Sequence, residues 1–169
     1  MSVDFSVGLY GLIAIAATAM VITRARPVHA LLYMVVALLA LACLFDSLGA
    51  PFAAMLDVIV YAGAIMVLFV FVVMMINLGQ PDETRERSWI TPSNWFGPSV
   101  LAALLLTTLI FALGHGDAAT GPNITEVGPT AVGMSLFGPY MLTVELASFL
   151  LLAGLVSAFH IGRALGEKR

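Results

Sequence analysis

Two carboxylates in apolar surroundings are the residues of this sequence best placed to do chemistry. Asp57 opens the run Asp57-Val-Ile-Val-Tyr61-Ala-Gly63-Ala64-Ile-Met-Val67, which stays apolar to Ile76. Glu145 begins a second run, Glu145-Leu-Ala-Ser-Phe-Leu-Leu-Leu-Ala-Gly-Leu-Val. A carboxylate at bilayer depth costs roughly 2.5–3.5 kcal/mol on insertion scales, so a segment that only anchored the chain would avoid one. These are the two acids read as lying inside or at the rim of a span, and neither has a basic residue nearby in sequence. Groups of this kind can exchange protons with water or with a partner chain. At about 1.5 Å per helical residue, Asp57 falls one turn and Glu145 two turns into their helices, in the outer part of the membrane. The plainer reading is an acid favoured by the helix dipole in a first turn, with Pro139 starting the last helix.

The second chemical feature lies in mid-helix. Tyr61, Gly63, Ala64 and Val67 fall within two turns, with the small residues on one side. A helical Gly costs about 1 kcal/mol relative to Ala. It is explained either by close helix packing or by a hydrogen-bond ladder that shifts into a π-bulge, a defect frequent at functional sites. Tyr61 carries a hydroxyl at depth and asks for a partner or water, which makes it a candidate for a proton path with Asp57 and Glu145. The remaining candidates are weaker. His29 and His160 belong at the cytoplasmic interface and His115 in an outer loop, with no metal-ligand spacing among them. Cys43 is a lone apolar-run cysteine, which excludes an internal disulfide. No phosphate-binding glycine loop and no nucleophile–base–orienter set can be assembled.

The elements that must position these residues follow from composition. The chain is 61% hydrophobic and 10% charged, against about 25% charged in soluble domains, so it is an integral membrane protein. Apolar runs of about 20 residues give five spans, near 5–23, 28–47, 52–78, 96–113 and 139–163. The fold class is all-α, because lipid offers no partner to unpaired backbone groups, and the alternating segments of a β-barrel are absent from the sequence. Arg24, Arg26, Arg85, Arg87, Arg163, Lys168 and Arg169 all fall on one side, while Leu48–Pro51 and the long loop Gly114–Gly138 hold no Lys or Arg. This places the N-terminus outside (periplasmic) and the C-terminus in the cytoplasm, in a single membrane domain. Met-Ser-Val-Asp-Phe carries an acid where a cleavable signal carries a base, so the first helix reads as uncleaved. Short turns at Arg24–Pro27 and Leu48–Pro51 make spans one to three consecutive antiparallel neighbours. Trp89 and Trp95 suit the headgroup belt, and Asn77 suits the end of span three. A net charge of −3 gives no reason to expect a nucleic-acid partner, and no internal repeat supports an inverted-repeat transporter.

Three segments carry a resemblance. Pro27-Val-His-Ala-Leu-Leu-Tyr33, the stretch Val58–Met75 with its YAGAIMVLFVF core, and the Glu145 run together resemble one family. It is the family of chain J of bacterial proton-translocating NADH:quinone oxidoreductase (respiratory complex I) and of its sixth mitochondrially encoded membrane subunit. The likeness covers essentially the whole chain, and the YAGAIMVLFVF segment is its most specific part. It implies a non-catalytic subunit of a translocase in the bacterial inner membrane, with chains H, A, K and N as neighbours. It implies NADH, FMN, iron–sulfur clusters and quinone in partner subunits, and no cofactor, metal or catalytic residue in this chain. It further implies a reversible π-bulge in the third helix around Tyr61, Gly63 and Val67, gating a water path from the quinone-proximal region to the proton channels. The family commonly has Glu where this chain has Asp57, one methylene shorter, and Glu145 matches an acidic position of the last helix. Two alternatives remain at this point: a structural membrane scaffold, and a subunit of a cation/proton antiporter or hydrogenase-linked complex.

Overall fold

A computed structural model describes residues 3–24, 27–76, 92–114 and 125–166. Arg26, Asn77, Arg85, Arg87, Trp89, His115, Lys168 and Arg169 lie outside the described residues. Every regular element among the described residues is helical. They are α1 (Val3–Thr23), α2 (Pro27–Ser47), α3 (Pro51–Leu56), a π-helix π1 (Asp57–Ile65), α4 (Met66–Ile76), α5 (Pro92–Gly114), α6 (Pro129–Phe137) and α7 (Met141–Gly166). Among the described residues, five helices are long and apolar enough to cross a membrane: Phe5–Thr23, Pro27–Ser47, Pro51–Met75, Trp95–Gly114 and Met141–Arg163. The all-helical class and the five candidate spans expected from the sequence are therefore present. The third span is a continuous run of α3, π1 and α4.

Local chemistry sets the boundaries. Pro27, Pro51, Pro92 and Pro129 each open a helix, where a missing N–H costs nothing and φ is already helical. Gly49 has φ 83° and reverses the chain between α2 and α3; this left-handed conformation is open to Gly without a Cβ penalty. Side-chain hydroxyls within the spans bond back to their own helices: Thr18 Oγ1 donates to Ala14 O (2.8 Å) and Thr107 Oγ1 to Ala103 O (2.7 Å). Lipid offers them no other acceptor.

The chain falls into two units, 1–127 and 128–169. In the first, α1, α2 and α5 share a core of Tyr10, Ile13, Ala14, Ala17, Val36, Ala37, Ala40 and Leu105. Four of these eight are Ala. Small side chains let helix axes approach, which is how association is driven where lipid removes the hydrophobic advantage. The third span lies along α2 through α3, π1 and α4. In the second unit α6 and α7 are joined by the turn at Gly138–Tyr140, closed by Tyr140 N–H to Ser135 O (3.1 Å) and Met141 N–H to Gly138 O (3.3 Å). The stretch 114–138, expected as loop, thus contains a helix. Gly128 at the N-cap and Pro129 at the first position start it, and the same Gly and Pro content had marked the stretch as irregular.

Candidate functional site

The site is built on the third span. After six α-helical residues Asp57 N–H is still shared between Ala53 O and Ala54 O, and the wider register starts from this residue. It closes again at Met66, whose N–H reaches back five residues to Tyr61 O. A π-helix is rare and mostly a single turn; one of nine residues is long. Its sequence explains how it is tolerated. A Cβ at Gly63 would stand 3.1 Å from the Val58 carbonyl oxygen, five residues back, so the wider register is relieved by the absence of that Cβ.

The expected site residues divide as follows. Asp57, Tyr61, Gly63 and Ala64 are all in π1, and Val67 is the second residue of α4. Asp57 is 7% exposed, and its Oδ2 has no hydrogen-bond partner among the described residues. An unsatisfied buried carboxyl oxygen is costly and calls for a partner, such as a water or a group on another subunit. Tyr61 is 54% exposed, so its hydroxyl lies on a face that this part of the chain leaves uncovered. Gly63, Ala64 and Val67 are exposed as well, and Met66, 3% exposed, is the side chain that seats this region. Glu145 lies on α7, four residues after Met141 and beyond the first turn, with an exposed side chain. The reading of Pro139 as helix starter does not hold, because Gly138–Tyr140 is a turn and α7 begins at Met141. His29 is buried near the start of α2, and His160 is exposed on α7. No group of three His, Cys, Asp or Glu residues able to hold a metal exists among the described residues.

Two clusters were not read from the sequence. Asp46 is a third acid within a span, one residue before the end of α2. It lies near Tyr10 of α1 and Cys43 of α2, and Tyr10, 3% exposed, hydrogen-bonds with Thr108 of α5. Thr108 Oγ1 donates to Leu105 O at 2.8 Å. The available signal was Cys43 and Asp46 at i, i+3 on one helix face. At the other end of α2, the hydroxyl of Tyr33 lies against the α-carbon of Gly97, where a Cβ would overlap it. Arg24 stacks over the Tyr33 ring at 5.4 Å and donates to its hydroxyl at 3.5 Å. Tyr33 and Gly97 are too far apart in sequence for spacing to connect them.

The chain has counterparts among known proteins. A family model described as NADH-ubiquinone/plastoquinone oxidoreductase chain 6 matches residues 17–161. The chain is similar to the NADH-quinone oxidoreductase subunit J of Escherichia coli, 56% identical over 161 residues, covering 95% of this chain and 86% of that one. It is similar to subunit J of Pseudomonas aeruginosa, 58% identical over 151 residues, covering 89% and 91% of the two chains. It is also similar to subunit J of Buchnera aphidicola subsp. Schizaphis graminum, 44% identical over 153 residues, covering 90% and 93%. With five membrane-length helices and matches of this extent, the chain belongs to the NADH-ubiquinone/plastoquinone oxidoreductase chain 6 family.

Proposed function

We propose that the third span is the working part of this subunit: a helix that changes hydrogen-bond register and so couples quinone reduction to proton translocation. Like its subunit J relatives, the chain is a membrane-arm subunit of NADH:quinone oxidoreductase, complex I. In this reading Asp57, Tyr61 and Glu145 order protons and water, while Tyr61, Gly63, Ala64 and Val67 form the switch. The chain works in the bacterial inner membrane as one membrane domain, with its N-terminus periplasmic and its C-terminus cytoplasmic. The one-sided distribution of Lys and Arg supports that orientation. Chains H, A, K and N are its neighbours. NADH oxidation, FMN, the iron–sulfur clusters and the quinone site belong to partner subunits, and this chain alone catalyses nothing.

One observation carries the reading: a nine-residue π-helix inside a membrane span, beginning at a buried acid that follows the six residues of α3. A gate requires two states within a few kcal/mol of each other. A π-helix eased by one Gly, with an α-helix on either side to extend into it, supplies such a pair. The test is a pair of maps of the intact complex, resting and during turnover. Loss of the five-residue bonds across Tyr61–Val67 in one of them is the expected result; the same register in both would refute the switch. Copurification with antiporter subunits and no NADH-oxidising module would refute the assignment to complex I.

A further inference from the structure

The two ends of the π-helix are held very differently. On the Pro51 side the turn from α2 is closed by backbone bonds: Leu48 N–H to Leu44 O (3.1 Å), Gly49 N–H to Asp46 O (3.0 Å) and Ala50 N–H to Phe45 O (2.9 Å). Ala54 N–H then bonds Ala50 O at 3.0 Å, and the Ala54 side chain is buried. To these local ties the structure adds a distant one. Val127 N–H, from the stretch that leads out of the 114–138 connection, donates to Gly49 O at 2.9 Å. On the other side, α4 buries Met66, while Val67, Leu68, Phe69, Phe71 and Met74 are exposed. No backbone bond ties α4 to another segment among the described residues.

A register change of one residue has a mechanical consequence. It must turn one side of the helix against the other by about 100° and displace it by about 1.5 Å. The side that turns is the one with less to break. Turning α3 would strain the Gly49 turn, lift Ala54 from its seat and pull Gly49 O from Val127 N–H. Backbone groups released at this buried turn are costly to leave unpaired. Turning α4 unseats Met66 and shifts the half-buried Val70 and Val73, but breaks no backbone bond to another segment among the described residues.

We propose that residues 125–127 are a strap, which through the Val127–Gly49 backbone bond holds α3 still, so that a register change in π1 turns α4 alone. The inference rests on the switch reading of π1. It adds a role for a segment that carries no chemistry of its own: 125–127 makes one half of the span the fixed half.

The test uses the intact complex, wild type and Val127→Pro, mapped in resting and turnover states. The substitution removes the donor and alters a side chain that is itself exposed. In the wild type, α3 should superpose on α2 between states while α4 turns by about 100°; in Val127→Pro, α3 should take part of the rotation. Rotation of α3 in the wild type, or an α3 that stays fixed in Val127→Pro, overturns the strap and leaves the switch standing. A single π1 register in both wild-type states overturns switch and strap together. Hydrogen exchange on the wild-type complex gives a reading free of folding defects. The Val127 amide should exchange slowly in both states, and exchange at the rate of an open amide in either one overturns the strap.

Discussion

Gly63 is where the register can be biased by a single methyl group. A Cβ added there meets Val58 O at 3.1 Å in the π register, a few tenths of an ångström closer than ordinary contact. That oxygen is five residues back, and an α-helical Cβ does not face it. Ala at 63 gains about 1 kcal/mol of helix propensity over Gly, but it gains this in either register. Only the crowding distinguishes the two, and overpacking by one carbon at this separation is worth on the order of 0.5–1 kcal/mol. The π-to-α ratio should therefore fall roughly two- to five-fold in Gly63→Ala. Val adds two γ-methyls and should cost about 1–3 kcal/mol, shifting the ratio on the order of 5- to 150-fold. The assay is proton translocation per NADH oxidised, in liposomes containing the purified complex, with assembly checked by gel filtration and the register by maps. Pumping should fall from Gly63 to Ala to Val while assembly is retained. Undiminished pumping in Gly63→Val, with a fully π-helical Asp57–Ile65 in the map, would refute the reasoning.

Three further substitutions probe the surroundings. Asp57→Asn should retain assembly and lower proton translocation, and Asp57→Leu should raise the thermal midpoint of the complex or leave it unchanged, because it removes a buried oxygen that lacks a partner; a drop in midpoint of several degrees would show the carboxyl to be paired in the complex. Gly97→Ala should destabilise by about 1–3 kcal/mol, since the new methyl overlaps the Tyr33 hydroxyl. Adding Tyr33→Phe should recover part of that loss in a double-mutant cycle of assembly yield, and strict additivity would argue against the contact. Glu145→Gln should lower pumping more than assembly, and equal pumping in wild type and variant would remove Glu145 from the proton path.

The spans were legible because about 20 apolar residues have few uses other than crossing lipid. Gly63 was legible as an oddity for the same reason, since a costly residue inside a lipid-crossing run asks for an explanation. Its register was not legible. Gly relieves the π form without opposing the α form, so the choice between them falls to tertiary packing, which sequence spacing does not encode. Asp46 escaped because it stands directly before Ser47-Leu-Gly-Ala-Pro and takes on the look of the turn. The α6 helix escaped for a related reason: Gly128 and Pro129 signal a break in the chain, and they do break it, but by starting a helix. Tyr33 against Gly97 and Val127 on Gly49 pair residues distant along the chain. Only the fold brings such partners together.

The register of π1 also decides how the acid and the hydroxyl of the third span stand toward each other. Four residues separate Asp57 from Tyr61. In an α-helix, at about 100° per residue, Tyr61 would come round roughly 40° past the acid. In the wider turn of an i→i+5 helix each residue advances less, and four residues fall short of a full turn, so Tyr61 stands on the other side of Asp57. In the π register Asp57 faces inward, packed where α2 runs alongside, and Tyr61 is more than half exposed. Asp57 follows α3 directly, so whatever holds α3 also holds the acid. A register change then keeps the carboxyl in place and carries the hydroxyl from one side of it to the other. If the span switches as proposed, the buried carboxyl adjoins the half that is held, and the Tyr61 hydroxyl is the group that moves relative to it. That division follows from where π1 begins, which is at the acid itself.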